Sequence, residues 1–449
     1  MTADGRWQVV LESAAEAQRR FHVPGLSIAI LADGETRSGG LGVTDLRAPL
    51  DVDGDTLFQI GSISKTFTAV MTLLLHQRGL LDLDAPLRRY LPDFTVADRD
   101  ASERVTPRLL FSHTAGWLGD FFDNDTASLA LATDRMRWLP QLYPLGTLWS
   151  YNNAAFFPAG LLVERLTGRS FARVVQEELF SPLGMTNSGY RLTDLLTAKV
   201  AMGFSAVFAE GGTPQPGRWY GEGSIYPVGG ISSTANDILR WARFIIDGRD
   251  DHGNEVLDAA SRATCGALRY PAGLDRYTGF TWFTREIDGV RLLSHGGSMR
   301  FQQSELIIAP DREFAMVILT NSERGSELYG EVTAVALREY LGASAPKPEA
   351  VAGTPEQLAP YAGRYRSELA DFELTRAGDT LWLHMTQKSL GTSIAEAEVR
   401  PPVRLALTAT PDVLLARDAP FAGEAVEFLR GDGGEIAWMR IGHRLRRRV

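Results

Sequence analysis

The chain has one cysteine, Cys265, among 449 residues. An intrachain disulfide and a thiolate metal cluster are therefore excluded, and a lone cysteine with no activating neighbours reads as a small buried apolar group. A basic excess is also missing. The net charge is -9, which argues against nucleic acid, whose binders carry a basic footprint. The one basic cluster is the tail of Arg444, Arg446, Arg447 and Arg448, which by itself reads as a solvated chain end. No apolar run reaches the ~18 residues of a membrane span, so no membrane partner is expected. The start, Met1-Thr2-Ala3-Asp4-Gly5-Arg6-Trp7, lacks the basic-then-apolar pattern of a secretory signal. A cytoplasmic location is the expectation. His22, His76, His252, His384 and His443 show no metal-ligand spacing; no metal and no cofactor are expected.

What is present is the composition of a soluble globular protein in two or three structural units. Residues 6–21 read as a surface helix ended by Pro24-Gly25. Leu26 to Leu31, then Asp33-Gly34, read as a strand and a hairpin turn, with a second strand near Thr36 to Gly42. Residues 62–78 are apolar nearly all round, which predicts a helix in the middle of the protein. Strands return at Phe280 to Phe283, Val290 to Leu293, Ser304 to Ile308 and Phe314 to Leu319. The expected fold is α/β (α+β): an antiparallel sheet built from both ends of residues 1–342, with a helical insertion. Residues 343–358 have the composition of a linker. Residues 359–449 show short alternating segments separated by turns, the pattern of a small antiparallel barrel.

Chemistry concentrates in three short segments. In Ser62-Ile63-Ser64-Lys65 the i, i+3 spacing places serine and lysine on one helix face, about 5–6 Å apart at Cβ. Burial lowers a lysine's pKa, so Lys65 becomes a base for the Ser62 hydroxyl; the alternative is a serine that only caps the helix. A second copy of the spacing, Ser344-Ala345-Pro346-Lys347, lies in the linker and is taken as chance. Tyr151-Asn152-Asn153 supplies a tyrosine expected to lose pKa beside a cationic lysine and so to act as base, then acid. Asn153 could orient Lys65 and a substrate amide. Ser294-His295-Gly296-Gly297-Ser298 follows a strand. Its two glycines let a substrate backbone approach the strand edge, and the amides of Ser62 and Ser298 could form an oxyanion hole.

These segments occur in the order Ser-x-x-Lys, Tyr-x-Asn, His/Lys-x-Gly, and together resemble the penicillin-binding-protein and class C β-lactamase-like serine hydrolases. Phe58-Gln59-Ile60-Gly61, Ser112-His113-Thr114-Ala115-Gly116, Gly229 to Thr234 and Leu319-Thr320-Asn321 extend the resemblance over residues 10–340. The last 90 or so residues resemble the lipocalin-like module of many relatives. The resemblance implies Ser62 as nucleophile, Lys65 and Tyr151 as proton carriers, Asn153 as their orienter and His295 on the facing strand. His113 is implied to be structural. Tyr-Asn-Asn and His-Gly-Gly replace the Ser-Asp-Asn and Lys-Thr-Gly of class A β-lactamases, and His295 weakens the fixed charge that a β-lactam carboxylate needs. The implied activity is acyl transfer through Ser62 from a small or peptide-like ester, amide or thioester. The alternatives are a stand-alone thioesterase that cyclises nonribosomal peptides, with a peptidyl carrier protein as partner, a weak β-lactamase, and a non-catalytic binding protein. For the cyclase version, Arg444 and Arg446 are expected to face the cleft and contact the peptide. The oligomeric state is left open.

Overall fold

The computed structural model describes residues 3–121, 128–195, 197–205, 215–217, 219, 223–267, 269–346, 348–367, 370–388, 398–419 and 421–449. Asp33 and Gly34, both at positive φ, turn strand β1 (Gly25–Ala32) into β2 (Glu35–Gly42). Two short strands, β3 (Phe58–Gln59) and β4 (Ser232–Ser233), pair beside the turn that holds Ser62. The other sheet strands are β5 (Tyr270–Gly273), β6 (Arg276–Thr278), β7 (Phe283–Ile287), β8 (Val290–Met299), β9 (Gln302–Ala309) and β10 (Phe314–Thr320). They assemble in the order β2-β1-β10-β9-β8-β7-β6-β5, antiparallel throughout. The two ends of the first 340 residues thus meet in one sheet.

Both faces of this sheet are covered, so β10 is buried along its whole length. On one face Leu26, Ile28 and Ile30 pack against helix α1 (Ala3–Arg20) and helix Gly325–Ala336 through Val10, Ala14, Leu328 and Val332. On the other lies α2 (Ser64–Gln77), whose residues 64–75 are all buried, with Phe67 stacked 3.8 Å from the Trp241 ring. That is the central helix the all-round apolar pattern predicts. The Phe280–Trp282 segment, by contrast, is a turn with Thr281 at positive φ, and the strand begins only at Phe283. Apolar content marked those residues as buried, which they are, but not as extended.

The remaining chain forms a second sheet. Its strands are β11 (Ala350–Val351), β12 (Gly363–Arg366), β13 (Ala370–Ala377), β14 (Thr380–Gln387), β15 (Glu398–Val399), β16 (Val403–Thr408), β17 (Val413–Ala416), β18 (Ala425–Arg430), β19 (Ile436–Ile441) and β20 (Arg444–Arg448). Eight of them, β12–β14 and β16–β20, close into a barrel through the β14–β16 pairing. Its interior is filled by Tyr365, Phe372, Leu383, Leu405, Val426 and Met439. The connecting residues 343–358 hold β11 and a helical turn, Pro355–Leu358, closed by a Thr354/Gln357 capping box. Lys347, in the chance copy of the Ser-x-x-Lys spacing, lies outside the described residues. Among the described residues no helix is long and apolar enough to cross a membrane.

Candidate active site

The Ser62 turn is a short 3-10 segment, Gly61–Ile63, that leads into α2. Gly61 has φ +50, and a Cβ there would stand 2.6 Å from the Ser298 amide nitrogen. Only glycine lets β8 come this close. Neither the 3-10 turn nor α2 has a side-chain N-cap, so Ser62 is not spent on capping. Its Oγ lies instead 2.9 Å from Lys65 Nζ. Lys65 is fully buried and donates to the Val228 carbonyl oxygen at 2.6 Å. Burial lowers its pKa well below the usual 10.5, Arg444 lowers it further and Asp120 partly opposes. Nζ thus donates to both oxygens, and once it has lost a proton the amine has a lone pair with which to accept the Ser62 hydroxyl proton.

Tyr151 lies across Lys65, its ring 5.2 Å from Nζ and stacked on His113 at 4.5 Å. Here the expectation of a depressed tyrosine pKa is corrected. Burial drives the phenol upward, and interaction with Ser62 and Arg444 offsets only part of that. Lys65, whose own pKa burial lowers well below its usual value, is not among the groups that pull the phenol down. The Tyr151 hydroxyl makes no full hydrogen bond and is buried, which leaves its proton available to a substrate atom.

Asn153 does not touch Lys65. Its Nδ2 donates to Asp120 Oδ1 at 3.1 Å, and the Val228 carbonyl holds the lysine instead. Asp120 also receives Arg444 bidentately, at 2.6 and 2.9 Å. The barrel is thereby tied to the Tyr151 loop, and two further bonds reinforce the tie: Tyr151 N donates to His443 O at 2.9 Å and Leu445 N to Ser150 Oγ at 3.1 Å. The β19–β20 turn brings His443 into the cleft wall, its ring 5.1 Å from Phe283. Arg446 is not in the cleft. It shares the inward face of β20 with Arg444 but sits deeper, paired in register with Met439, its guanidinium 4.5 Å over Phe372 and donating to the carbonyls of Ile441 and Arg444. Burial pushes its pKa down to about 9. Arg444, at the barrel mouth, is the one that reaches out.

His295 is buried, and desolvation with the nearby Lys65 pushes its pKa down to about 3. The ring is therefore neutral at pH 7. Its Nδ1 faces the Gly296 carbonyl oxygen at 2.6 Å, an acceptor only, so the proton sits on Nδ1 and Nε2 is a bare acceptor. Gly297 is packed against the Ser62 turn: a Cβ there would lie 1.9 Å from Ile60 O, whereas at Gly296 the nearest atom is the movable Glu305 Oε2 at 3.0 Å. Gly297→Ala should therefore destabilise the protein by about 1–3 kcal/mol, as overpacking does, and shift β8 off Ser62. Gly296→Ala should be nearly neutral in a thermal melt. Equal melts for the two would contradict this packing.

Ser62, Tyr151, His295, Gly296, Gly297, Ser298 and Arg444 all line one cleft of about 700 Å³, the size of an ordinary ligand site. A buried lysine with a lowered pKa beside a serine, with the backbone amides of Ser62 in the turn and Ser298 on β8, can activate a hydroxyl toward a carbonyl and receive the resulting oxyanion. Among the described residues no group of three His, Cys, Asp or Glu is placed to hold a metal.

A fold of this kind, with this serine–lysine pair, is that of the serine hydrolases related to penicillin-binding proteins. The Beta-lactamase family model matches residues 12–338, and the chain belongs to that family. Penicillin-binding protein 4 of Amycolatopsis lactamdurans is 32% identical over 358 residues, which span 77% of this chain and 94% of that protein. Unguisins hydrolase ungD of Aspergillus violaceofuscus is 25% identical over 354 residues, 70% of this chain but only 61% of that longer protein. The crystal structure of SurE matches with a TM-score of 0.77 at 23% identity, covering 100% of both chains. The octameric penicillin-binding protein homologue from Pyrococcus abyssi gives 0.66 at 21%, covering 99% of this chain and 100% of that one. Both share the fold.

Proposed function

We propose that the protein transfers acyl groups through a Ser62 ester, taking them from peptide-like esters, amides or thioesters. The observation that carries this is the 2.9 Å contact between Ser62 Oγ and a fully buried Lys65. Lys65, as free amine, takes the hydroxyl proton while Oγ attacks the carbonyl carbon. The amides of Ser62 and Ser298 receive the oxyanion. As the tetrahedral species collapses, Tyr151 gives its proton to the leaving atom and is reprotonated from Lys65. An incoming water or amine then reverses these transfers. Neutral His295 offers Nε2 as an acceptor for a substrate N–H or O–H, not a positive charge for a carboxylate, which argues against efficient β-lactam hydrolysis. The test is a fluorophosphonate probe followed by peptide mapping. Label should appear at Ser62 alone; label at Ser64 or elsewhere would overturn the assignment.

A second reading, release of a peptidyl chain by an internal amine rather than water, is favoured by the barrel mouth at the cleft. Arg444 and His443 wall off the site, and a wall that excludes water is what an amine acceptor needs to compete. SurE, whose fold this chain shares, has also been solved with D-Leu, which makes peptidyl donors carrying a D-residue the first to try; the likeness to an unguisins hydrolase leaves water as the competing acceptor. Peptidyl thioesters with a free N-terminal amine, scored for cyclic product against linear acid, decide between the two. Linear acid alone from every peptide would leave the hydrolase.

A further inference from the structure

The cleft does not end at Arg276 and Arg285. A second cavity of about 590 Å³ begins there and runs between the β5–β6 hairpin and the barrel strands β18 and β19. The two spaces share Arg276, Arg285, Gly423 and His443 as lining. One wall belongs to the first sheet, with Gly273, Leu274 and Asp275. The other belongs to the barrel, with Glu424, Ala425 and Glu427. The second cavity is not lined by Ser62 or Tyr151, yet it opens directly from the cleft that is.

The polar groups along this groove are unevenly satisfied. Most arginines among the described residues are paired. The side chains of Arg276 and Arg285 have no hydrogen bond and no ion pair among the described residues, although Arg276 lies over the Phe283 ring at 5.6 Å. Each guanidinium has five N–H donors and no acceptor capacity. On the barrel side Glu427 is held by Arg440 at 2.9 Å, whereas Glu424 has no ion pair among the described residues. Burial raises the pKa of both carboxyls, as expected where acceptors are short of donors. Charges of both signs face the groove (Asp275, Glu305, Glu424 and Glu427 against Arg276, Arg285 and Arg440), so it is not built for an ion of one sign. The guanidinium donors of Arg276 and Arg285 on one side, and on the other the Glu424 carboxylate, which keeps acceptor capacity beyond its one backbone N–H from Gly442, suit a chain that carries acceptors and donors at regular intervals, and a peptide backbone is such a chain.

We propose that this groove is a subsite for the peptidyl chain behind the acyl carbon, with backbone carbonyls on Arg276 and Arg285 and backbone N–H groups toward Glu424. This rests on the acyl-transfer reading above and narrows it to oligopeptidyl donors, since only a chain that runs on past the cleft enters the second cavity, which neither Ser62 nor Tyr151 lines. Binding energy gathered there is available to orient the scissile carbonyl on Ser62.

The experiment uses the full chain and a series of di-, tetra-, hexa- and octapeptidyl thioesters ending in the same residue. For the wild type kcat/KM should rise about tenfold or more with length, the equivalent of one or two added hydrogen bonds, and then level off. Ala425→Trp, which fills the groove from the barrel side, and Leu274→Trp, on the exposed hairpin, should each flatten that rise; Arg276→Ala should lower the long-to-short ratio. A flat length profile in the wild type, or an unaltered rise in both tryptophan variants once circular dichroism shows them folded, overturns the inference. Fluorophosphonate labelling in parallel separates the two ideas. If Ser62 labels but length does not matter, only the groove is lost; if Ser62 does not label, the acyl-transfer reading itself falls.

Discussion

Lys65→Ala is expected to slow acylation of Ser62 by about 10²–10⁴-fold, the range of acid–base catalysis, and Lys65→Arg should rescue nothing. The second result follows from the chemistry of the side chain. The proposed role needs Lys65 as a free amine, toward which burial moves it by lowering its pKa, whereas a guanidinium stays protonated in proteins. Tyr151→Phe should cost a similar factor, because its proton is the one passed to the leaving atom. The double variant should be little worse than the poorer single one, since the two groups pass one proton between them. Additive losses, measured as pre-steady-state acylation with a chromogenic thioester, would mean two independent steps and would defeat the relay. The pH dependence has a fixed sign. Lys65 must be unprotonated, so the acylation rate rises with pH through its lowered pKa and is already full well below 10.5, its ordinary value. Tyr151 must be protonated. Because its pKa is raised, no fall from tyrosine ionisation should be seen up to the ordinary pKa of about 10. A fall near pH 8 would contradict a neutral tyrosine donor.

Much of this centre was legible because local geometry fixes it. The spacing of Ser62 and Lys65 is one helical turn, and the apolar surroundings of residues 66–75 already imply that the turn is buried. The motifs around Tyr151 and His295 carried the rest of the cleft. The closed barrel could be read from alternation and turns alone. The parts that were not legible depend on long-range placement. The group that orients Lys65 is the Val228 carbonyl, and a backbone acceptor leaves no mark in residue identity. Asp120 pairs with Arg444 across 324 positions, and nothing local distinguishes it from any other loop aspartate. Arg444 and Arg446 share a strand face, so alternation assigns both the same role; only depth in the barrel separates the one that reaches the cleft from the one that lies over Phe372. The direction of the Tyr151 shift failed for a related reason. Pairwise charge reasoning takes the lysine as a cation, but in a site that buries both groups the desolvation of each decides first.

Cutting the Arg444–Asp120 tie should slow acylation itself, and the two halves of the pair should do so with opposite effects on pH dependence. The barrel holds the Tyr151 loop at three points: His443 O on Tyr151 N, Leu445 N on Ser150 Oγ, and the guanidinium on Asp120, which in turn receives Asn153. Asp120 is nearly buried and Arg444 about a quarter exposed, at 9% and 26% of the side chain. Removing one partner of a buried pair costs about 3–5 kcal/mol, and the partial exposure of Arg444 places this pair at or below the lower end. Arg444 lowers the Lys65 pKa, whereas Asp120 raises it. With Arg444→Gln, Lys65 holds its proton to higher pH, so the acid limb of the acylation profile moves up. With Asp120→Asn the limb moves down, although the loop loses its carboxylate and the plateau rate falls. The double variant should return the limb toward its original position while the plateau stays low. A purely structural tie would change plateau rates and melting temperature in these variants but leave the limb of the profile in place. Limbs that move together, or not at all, would show that the barrel positions the tyrosine loop without tuning the lysine.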